Sequence, residues 1–281
     1  MERSGAPAAD VVEFRVRFDE GGADGALRTS AYLRYMQDAA SVHSSKLGYT
    51  RERYRQEGLF WVVRHLDLTV HAPSYPGDVI GVSTDVRGFR RVWARRRSEF
   101  RSGAGDLLAE ADIDWVLTSA DGRPTRVPDE IIRAFPGLDA EYRPARLELP
   151  AAPPDPVEHE RRAEPYEVDP MGHVNNAAYL DQFEALFDEL GSASLRSAVP
   201  RRYRVEYLSS APAGSGLRWI AWPTATGVAG SLSREPGGDA VARVLAEETP
   251  APAEGTPAVA EGSLAAAAAS EVAQARAATS G

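Results

Sequence analysis

Cysteine is absent from the 281 residues, which excludes disulfides, a thiolate nucleophile and any cysteine-based zinc site, and agrees with a reducing compartment. No stretch approaches the roughly 18 consecutive apolar residues that a membrane helix needs. The opening MERSGAPAADVVEF lacks the basic and apolar regions of a signal peptide, so a soluble, unprocessed, cytoplasmic chain with no membrane partner is expected. There is no Gly-rich phosphate loop, no Gly-x-Ser-x-Gly elbow and no His-Glu-x-x-His helix. His43, His65 and His71 have no metal-like spacing with other ligands, and neither a cofactor nor a metal is expected. Basic charge is also scarce: a net charge of -9 disfavours general nucleic-acid binding, which depends on neutralising phosphates. One local exception is RGFRRVWARRRSEFR, residues 87–101, with seven arginines. Its alternation reads first as the solvated face of a strand. The alternative is a surface for coenzyme A phosphates or an acidic carrier protein.

What is present suffices for one large or two ordinary domains, since 43% of the residues are hydrophobic. Residues 249–281 are almost all Ala, Pro, Gly, Ser, Thr and Glu, too poor in large apolar groups to offset the entropy of ordering, and read as a disordered tail. The prolines of RPARLELPAAPPDPVE favour an extended linker over 143–158. The expected division is an N-terminal extension (1–10), a first folded segment (11–142), the linker, a second folded segment (159–248) and the tail. In the first segment Leu66, Leu68 and Val70 alternate with polar neighbours, as do Ile80, Val82, Thr84 and Val86, then Ile113, Trp115 and Leu117; these are half-buried strands. Before them RTSAYLRYMQDAASVHSSKLG reads as a helix with a Thr29 or Ser30 cap, apolar Leu33, Met36 and Ala40, and Gly48 as its stop. The second segment repeats the order: a short strand near 166–168, a helix over about 176–190, then strand-like YRVEYL, LRWIAW, VAGSLSR and AVARVLA.

The two helices align by sequence. Ala31, Tyr32 and Leu33 match Ala178, Tyr179 and Leu180, and in the same register Met36 meets Phe183, Gln37 meets Glu184 and Gly25 meets Gly172. The chemically loaded positions differ: Gly22 stands where the second copy has Asp169, and Ala26 where it has His173. A site using those two side chains would occur once, in the second half.

VDPMGHVNNAAYL, residues 168–180, can be read in two ways. As a helix cap, Asn175 or Asn176 serves as N-cap, His173 bonds a nearby carbonyl and Asp169 sits at the positive end of the helix dipole. A cap needs one polar residue, however, whereas acyl transfer needs a carboxylate or imidazole together with donors aimed at a developing oxyanion. Gly172 beside a helix N-terminus allows close approach of a ligand, and the backbone N–H groups there are ready donors.

DPMGHVNNAAYL closely resembles the segment of hotdog-fold thioesterases of the 4-hydroxybenzoyl-CoA thioesterase type, in which an Asp precedes a Gly-His-Val-Asn-Asn run and the long central helix. The duplication, together with LRTSAYLRYMQDAASVHSSKLGY, FWVVRHLDLTV, YPGDVI, WVLTSADGRPTRVP and the later VEYL, is similar to the double-hotdog acyl-ACP thioesterases over roughly residues 11–247. This resemblance implies an α+β fold of two tandem hotdogs, each a long helix wrapped by an antiparallel sheet, and hydrolysis of an acyl-ACP or acyl-CoA thioester. It implies Asp169 as base or nucleophile, His173 as the motif histidine, and the N–H groups of Gly172 and His173 as oxyanion donors. Acyl carrier protein or coenzyme A would carry the substrate, and a homodimer remains open. Two departures stand out: Met171 replaces an Asn of plant members, and Ser210 and Ala211 replace their downstream Glu-Cys pair. A non-hydrolytic acyl-binding protein and a hydratase or dehydratase are the alternatives. Supporting roles are open to Asn175, Asn176, Glu184, Glu206 and Gln37. Asp181, Glu184 and Asp188 read first as a solvated helix face, Gln37 and Asp38 likewise, and Glu206 either as a strand-surface charge or as a partner of His173. The five tryptophans read as core packing.

Overall fold

The computed structural model describes residues 11–135 and 142–249; the expected N-terminal extension and all of the expected tail but Thr249 lie outside these residues. Strand β1 (Val11–Arg15) leads to α1 (Thr29–Lys46) and α2 (Arg51–Gln56), then to β2 (Leu59–Val70), β3 (Val79–Arg90), β4 (Trp93–Ser102), β5 (Leu107–Ser119) and α3 (Asp129–Ala134). After these come β6 (Val157–Arg162), α4 (Asn176–Glu184), β7 (Arg201–Tyr207), β8 (Gly216–Pro223), β9 (Gly227–Glu235) and β10 (Asp239–Glu248). The ten strands form one antiparallel sheet in the order β1-β3-β4-β5-β2-β7-β10-β9-β8-β6. Outward from the central β2·β7 seam, both sides run through the second, fifth, fourth, third and first strand of their half. At the seam His65 to Val70 lie opposite Glu206 to Arg201.

Alternation builds the buried face, as the sequence pattern predicts. Leu66, Leu68 and Val70 on β2 and Tyr203, Val205 and Tyr207 on β7 face the same core as Tyr32, Leu33 and Met36 of α1 and Tyr179, Leu180 and Phe183 of α4. Each such burial contributes roughly 1.5–3 kcal/mol. Gly230 on β9 lets α4 approach, because a Cβ there would stand 2.5 Å from the Phe183 ring. The helices also meet directly: Asp181 accepts from the Ser30 hydroxyl at 2.6 Å and from Arg34 at 2.9 Å.

Several local expectations are corrected. Thr29 and Ser30 are not caps; they are the first two residues of α1, both buried, while the N-cap is Arg28, whose side chain makes no capping bond. Helix α4 ends at Glu184, and 185–191 continue as turns. The short strand expected near 166–168 is a 3-10 turn, Pro165–Glu167, and the strand of that half is β6, which begins within the expected linker. Along the expected extended linker, Leu147 is buried against Trp222, Ala229 and Leu245, and the Ala145 N–H donates to Asp114 at 2.9 Å. In the arginine run, Arg95 pairs with Asp114 at 2.7 Å and Arg97 with Asp112 at 3.2 Å, but Arg96 points inward. It donates to Ser44 at 2.8 Å and lies over the Phe135 ring, and burial lowers its pKa to about 10. A solvated face therefore holds only for its neighbours. No helix among the described residues is long and apolar enough to cross a membrane.

Candidate active site

The segment before α4 is a tight chain reversal whose backbone is fully specified. The Asp169 N–H donates to the His173 carbonyl at 2.9 Å, and the Gly172 N–H returns to the Asp169 carbonyl at 2.9 Å. Gly172 closes this turn at φ +86, a left-handed conformation that glycine adopts without strain. Outside it, the Asn175 N–H reaches the Glu167 carbonyl at 2.8 Å and the Val174 N–H reaches Ala211 at 2.8 Å, which ties the turn to the chain leaving β7. His173 also forms a bridge with Pro212.

Within this frame the side chains separate by task. Asn175 is the N-cap of α4, its Oδ1 accepting from the Ala177 N–H at 2.9 Å, so the cap reading is satisfied by one residue. Asn176 is the first helical residue, and its carbonyl accepts from the Tyr207 hydroxyl at 3.1 Å. The carboxylate of Asp169 is left for other work. Its Oδ1 accepts from the Met171 N–H at 2.8 Å and lies 3.8 Å from His173 Nδ1, while Oδ2 has no protein donor among the described residues. The two side chains are 23% and 30% exposed, held by protein yet open to a small molecule. The Gly172 N–H, expected as an oxyanion donor, is consumed by the turn; that of His173 is not.

The remaining candidates lie elsewhere. Glu206 pairs with Arg243 at 3.4 Å and not with His173, because it sits on the sheet face beside β10. Glu184 is no solvated helix charge: it is buried, accepts from the Tyr203 hydroxyl at 2.6 Å, and burial raises its pKa. Asp188 is exposed and paired with Arg196, and Gln37 is half-buried on α1. Met171 turns to solvent at 47% exposure, Ser210 is exposed, and Ala211 is buried. Trp219 packs in the core as expected, whereas Trp93 lines a surface cleft.

One neighbour of the turn is not singled out by its residue type: Tyr179 is buried, and burial raises its pKa, against a hydrogen bond with the Ala211 backbone and with the charges of Glu167 and Asp169 adding to the effect. Its position one turn into α4 was visible only as core spacing. Among the described residues no group of three or more His, Asp or Glu could hold a metal ion.

Residues 11–135 match the family model of the acyl-ACP thioesterase N-terminal domain. Over those residues the chain is similar to the acyl-ACP thioesterase family. Solved structures similar in fold include an acyl-ACP thioesterase from Bacteroides thetaiotaomicron, 18% identical with a TM-score of 0.71, covering 84% of this chain and 95% of that one. Another is the 12:0-ACP thioesterase of Umbellularia californica, 22% identical with a TM-score of 0.68, covering 87% and 98%. At these identities the likeness is one of fold, and it runs through both halves. No curated protein sequence matches the chain. Family and fold together support a thioesterase.

Proposed function

We propose that this thioesterase hydrolyses an acyl thioester carried on acyl carrier protein or coenzyme A, with Asp169 as its general base or nucleophile, and that its halves, 11–142 and 159–248, are tandem hotdog units. The observation that carries this reading is the unclaimed Oδ2 of Asp169 in a turn whose helix cap and closing backbone bonds are made by other groups. As base, Asp169 takes a proton from water while the water oxygen bonds to the thioester carbon. The C–S bond then breaks, and the thiolate sulfur leaves with that proton. Negative charge on the carbonyl oxygen is met by the His173 N–H, the donor of the pair that the turn leaves over. At 3.8 Å the His173 ring is beyond hydrogen-bond reach of the carboxylate, so its role is to shape the site or to contact the substrate.

Thiol release from a panel of acyl-ACP and acyl-CoA substrates tests this. Asp169→Asn, with melting temperature as a control for folding, should lower kcat/KM by about 10²- to 10⁴-fold, the usual worth of a general base. Acyl binding without turnover by the wild type would instead favour a non-hydrolytic acyl-binding protein.

A further inference from the structure

Away from the turn, a cleft of about 860 Å³ opens where the β3–β4 hairpin, residues 144–146 and the facing stretches of β2, β7 and β10 meet. Arg64, Arg90, Arg91, Arg146 and Arg243 line it, five guanidinium groups against the single carboxylate of Glu206. Glu206 is already shared with Arg243, and Arg64 donates to the Leu208 carbonyl at 2.7 Å. Arg90, Arg91 and Arg146 are exposed, with no carboxylate partner among the described residues. Their neighbours Arg95 and Arg97 on β4 are both neutralised by aspartates. In a chain of net charge -9, the cleft is thus a local concentration of uncompensated positive charge.

The hairpin carries a second sign of use. Arg90 pairs with Trp93, which leaves Arg91 and Val92 as a two-residue turn. Such turns favour Gly, Asn or Asp where φ is positive. Here Arg91 takes φ +54, the one non-glycine residue with positive φ among those described. Hydrogen bonds at 2.8 Å from Val127 to its carbonyl and from Leu117 to that of Val92 hold it there. Retained backbone strain of this kind is characteristic of ligand-contacting positions.

The cleft is tied to the catalytic turn by a short stretch of chain. Leu208 lines the cleft; three residues on, Ala211 accepts the Val174 N–H and Pro212 bridges His173. We propose that the cleft binds the 4′-phosphate of a phosphopantetheine arm whose thioester end reaches Asp169. This rests on the hydrolase reading, since the same arm presents thioesters from both carrier protein and coenzyme A. Guanidinium forks match phosphate oxygens through paired, charge-assisted hydrogen bonds.

Calorimetric titration with pantetheine, 4′-phosphopantetheine and coenzyme A tests the assignment. The variant is Arg90→Gln/Arg91→Gly/Arg146→Gln. Arg91→Gly removes a guanidinium while relieving the left-handed backbone, so a melting temperature at or above that of an Arg90→Gln/Arg146→Gln control separates lost binding from lost fold. Wild type should bind phosphopantetheine on the order of 10- to 100-fold more tightly than pantetheine, and more weakly as salt rises. The variant should bind the two alike. Coenzyme A binding no tighter than phosphopantetheine marks a site for the 4′-phosphate alone, as a carrier protein offers; tighter binding marks contacts with the further phosphates of coenzyme A. Equal wild-type affinities for pantetheine and phosphopantetheine, or an unaffected variant, overturn the proposal. If the wild type releases no thiol yet discriminates phosphate, the hydrolase reading fails and the phosphate site stands; turnover without discrimination is the reverse.

Discussion

In the first half of the chain the Gly22 N–H donates to the Ala26 carbonyl at 2.7 Å, and the Gly25 N–H returns to Gly22 at 3.0 Å. In the second half Asp169 donates to His173 and Gly172 returns to Asp169, each at 2.9 Å. The correspondence extends outward: Arg28 bonds to Glu20 as Asn175 does to Glu167, and Leu27 to Ser74 as Val174 does to Ala211. Even the left-handed glycines agree, φ +84 at Gly25 and +86 at Gly172. One backbone device therefore serves two ends. In the first copy it is a way into a helix, with Ala26 only 7% exposed; in the second the same frame presents a partly exposed carboxylate and imidazole. What separates a supporting turn from a candidate catalytic one is which side chains its constant hydrogen bonds display.

The largest effect should come from trying to move the site. Gly22→Asp/Ala26→His, placed in an Asp169→Asn background, copies the loaded side chains onto the first turn. We expect no recovery of thiol release from the roughly 10²- to 10⁴-fold loss. Ala26 is buried, so a histidine there is overpacked, and a Cβ at Gly22 stands 2.8 Å from the Asp24 carboxylate. Recovery of even a tenth of wild-type turnover would show that the surroundings of the two turns are equivalent and that the side chains alone decide.

Much of this comparison was legible in the sequence. The AYL repeat set the register that the backbone bonds now follow, and Gly22 against Asp169 and Ala26 against His173 located the asymmetry. The misreadings share a physical cause. Local pattern puts Glu184 and Arg96 on solvated faces, whereas their burial depends on which distant element lies over them: Tyr203 of β7 against Glu184 and the end of α1 against Arg96. The arginine cleft likewise joins positions 64, 90, 91, 146 and 243, which no window along the chain brings together. The Gly172 N–H was misassigned because a turn type, and the donor it consumes, follows from φ and ψ more than from composition.

Gly25→Ala and Gly172→Ala probe the shared frame. Both glycines have left-handed backbones with open space around the missing Cβ, so each substitution should cost about 1–2 kcal/mol from conformation alone. Thermal melts should therefore fall together, while kcat falls only for Gly172→Ala, whose turn positions Asp169. An equal effect on kcat would mean that the first turn also shapes the acyl site.

A smaller difference lies at the caps. Asn175 holds the Ala177 N–H, whereas Arg28 makes no side-chain cap bond. Asn175→Ala should lower stability by about 1 kcal/mol, and Arg28→Ala by less, since what the latter loses is contact with the backbone carbonyls of Asp19 and Glu20. Denaturant melts of the two variants measure the gap.

Finest of all is the pair Gln37 and Glu184, which occupy the same position in the two helices. Glu184→Gln gives the second helix the side chain of the first and keeps an oxygen to accept the Tyr203 hydroxyl. Burial holds the pKa of Glu184 above its ordinary value, against the opposing pull of Thr29, Tyr203 and Arg201 and with a further push from Asp181. The folded protein therefore keeps this proton to a higher pH than the unfolded chain does. As pH rises through the ordinary glutamate range the unfolded state releases its proton first, so the contribution of Glu184 to stability is full in acid and declines toward neutrality. Glutamine has no proton to lose. The melting temperature of wild type relative to Glu184→Gln should decrease as pH is raised from acid to neutral. A difference that instead grows as pH rises would show Glu184 ionised alongside Arg201, making the cluster a buried ion pair in place of a neutral hydrogen-bonded acid.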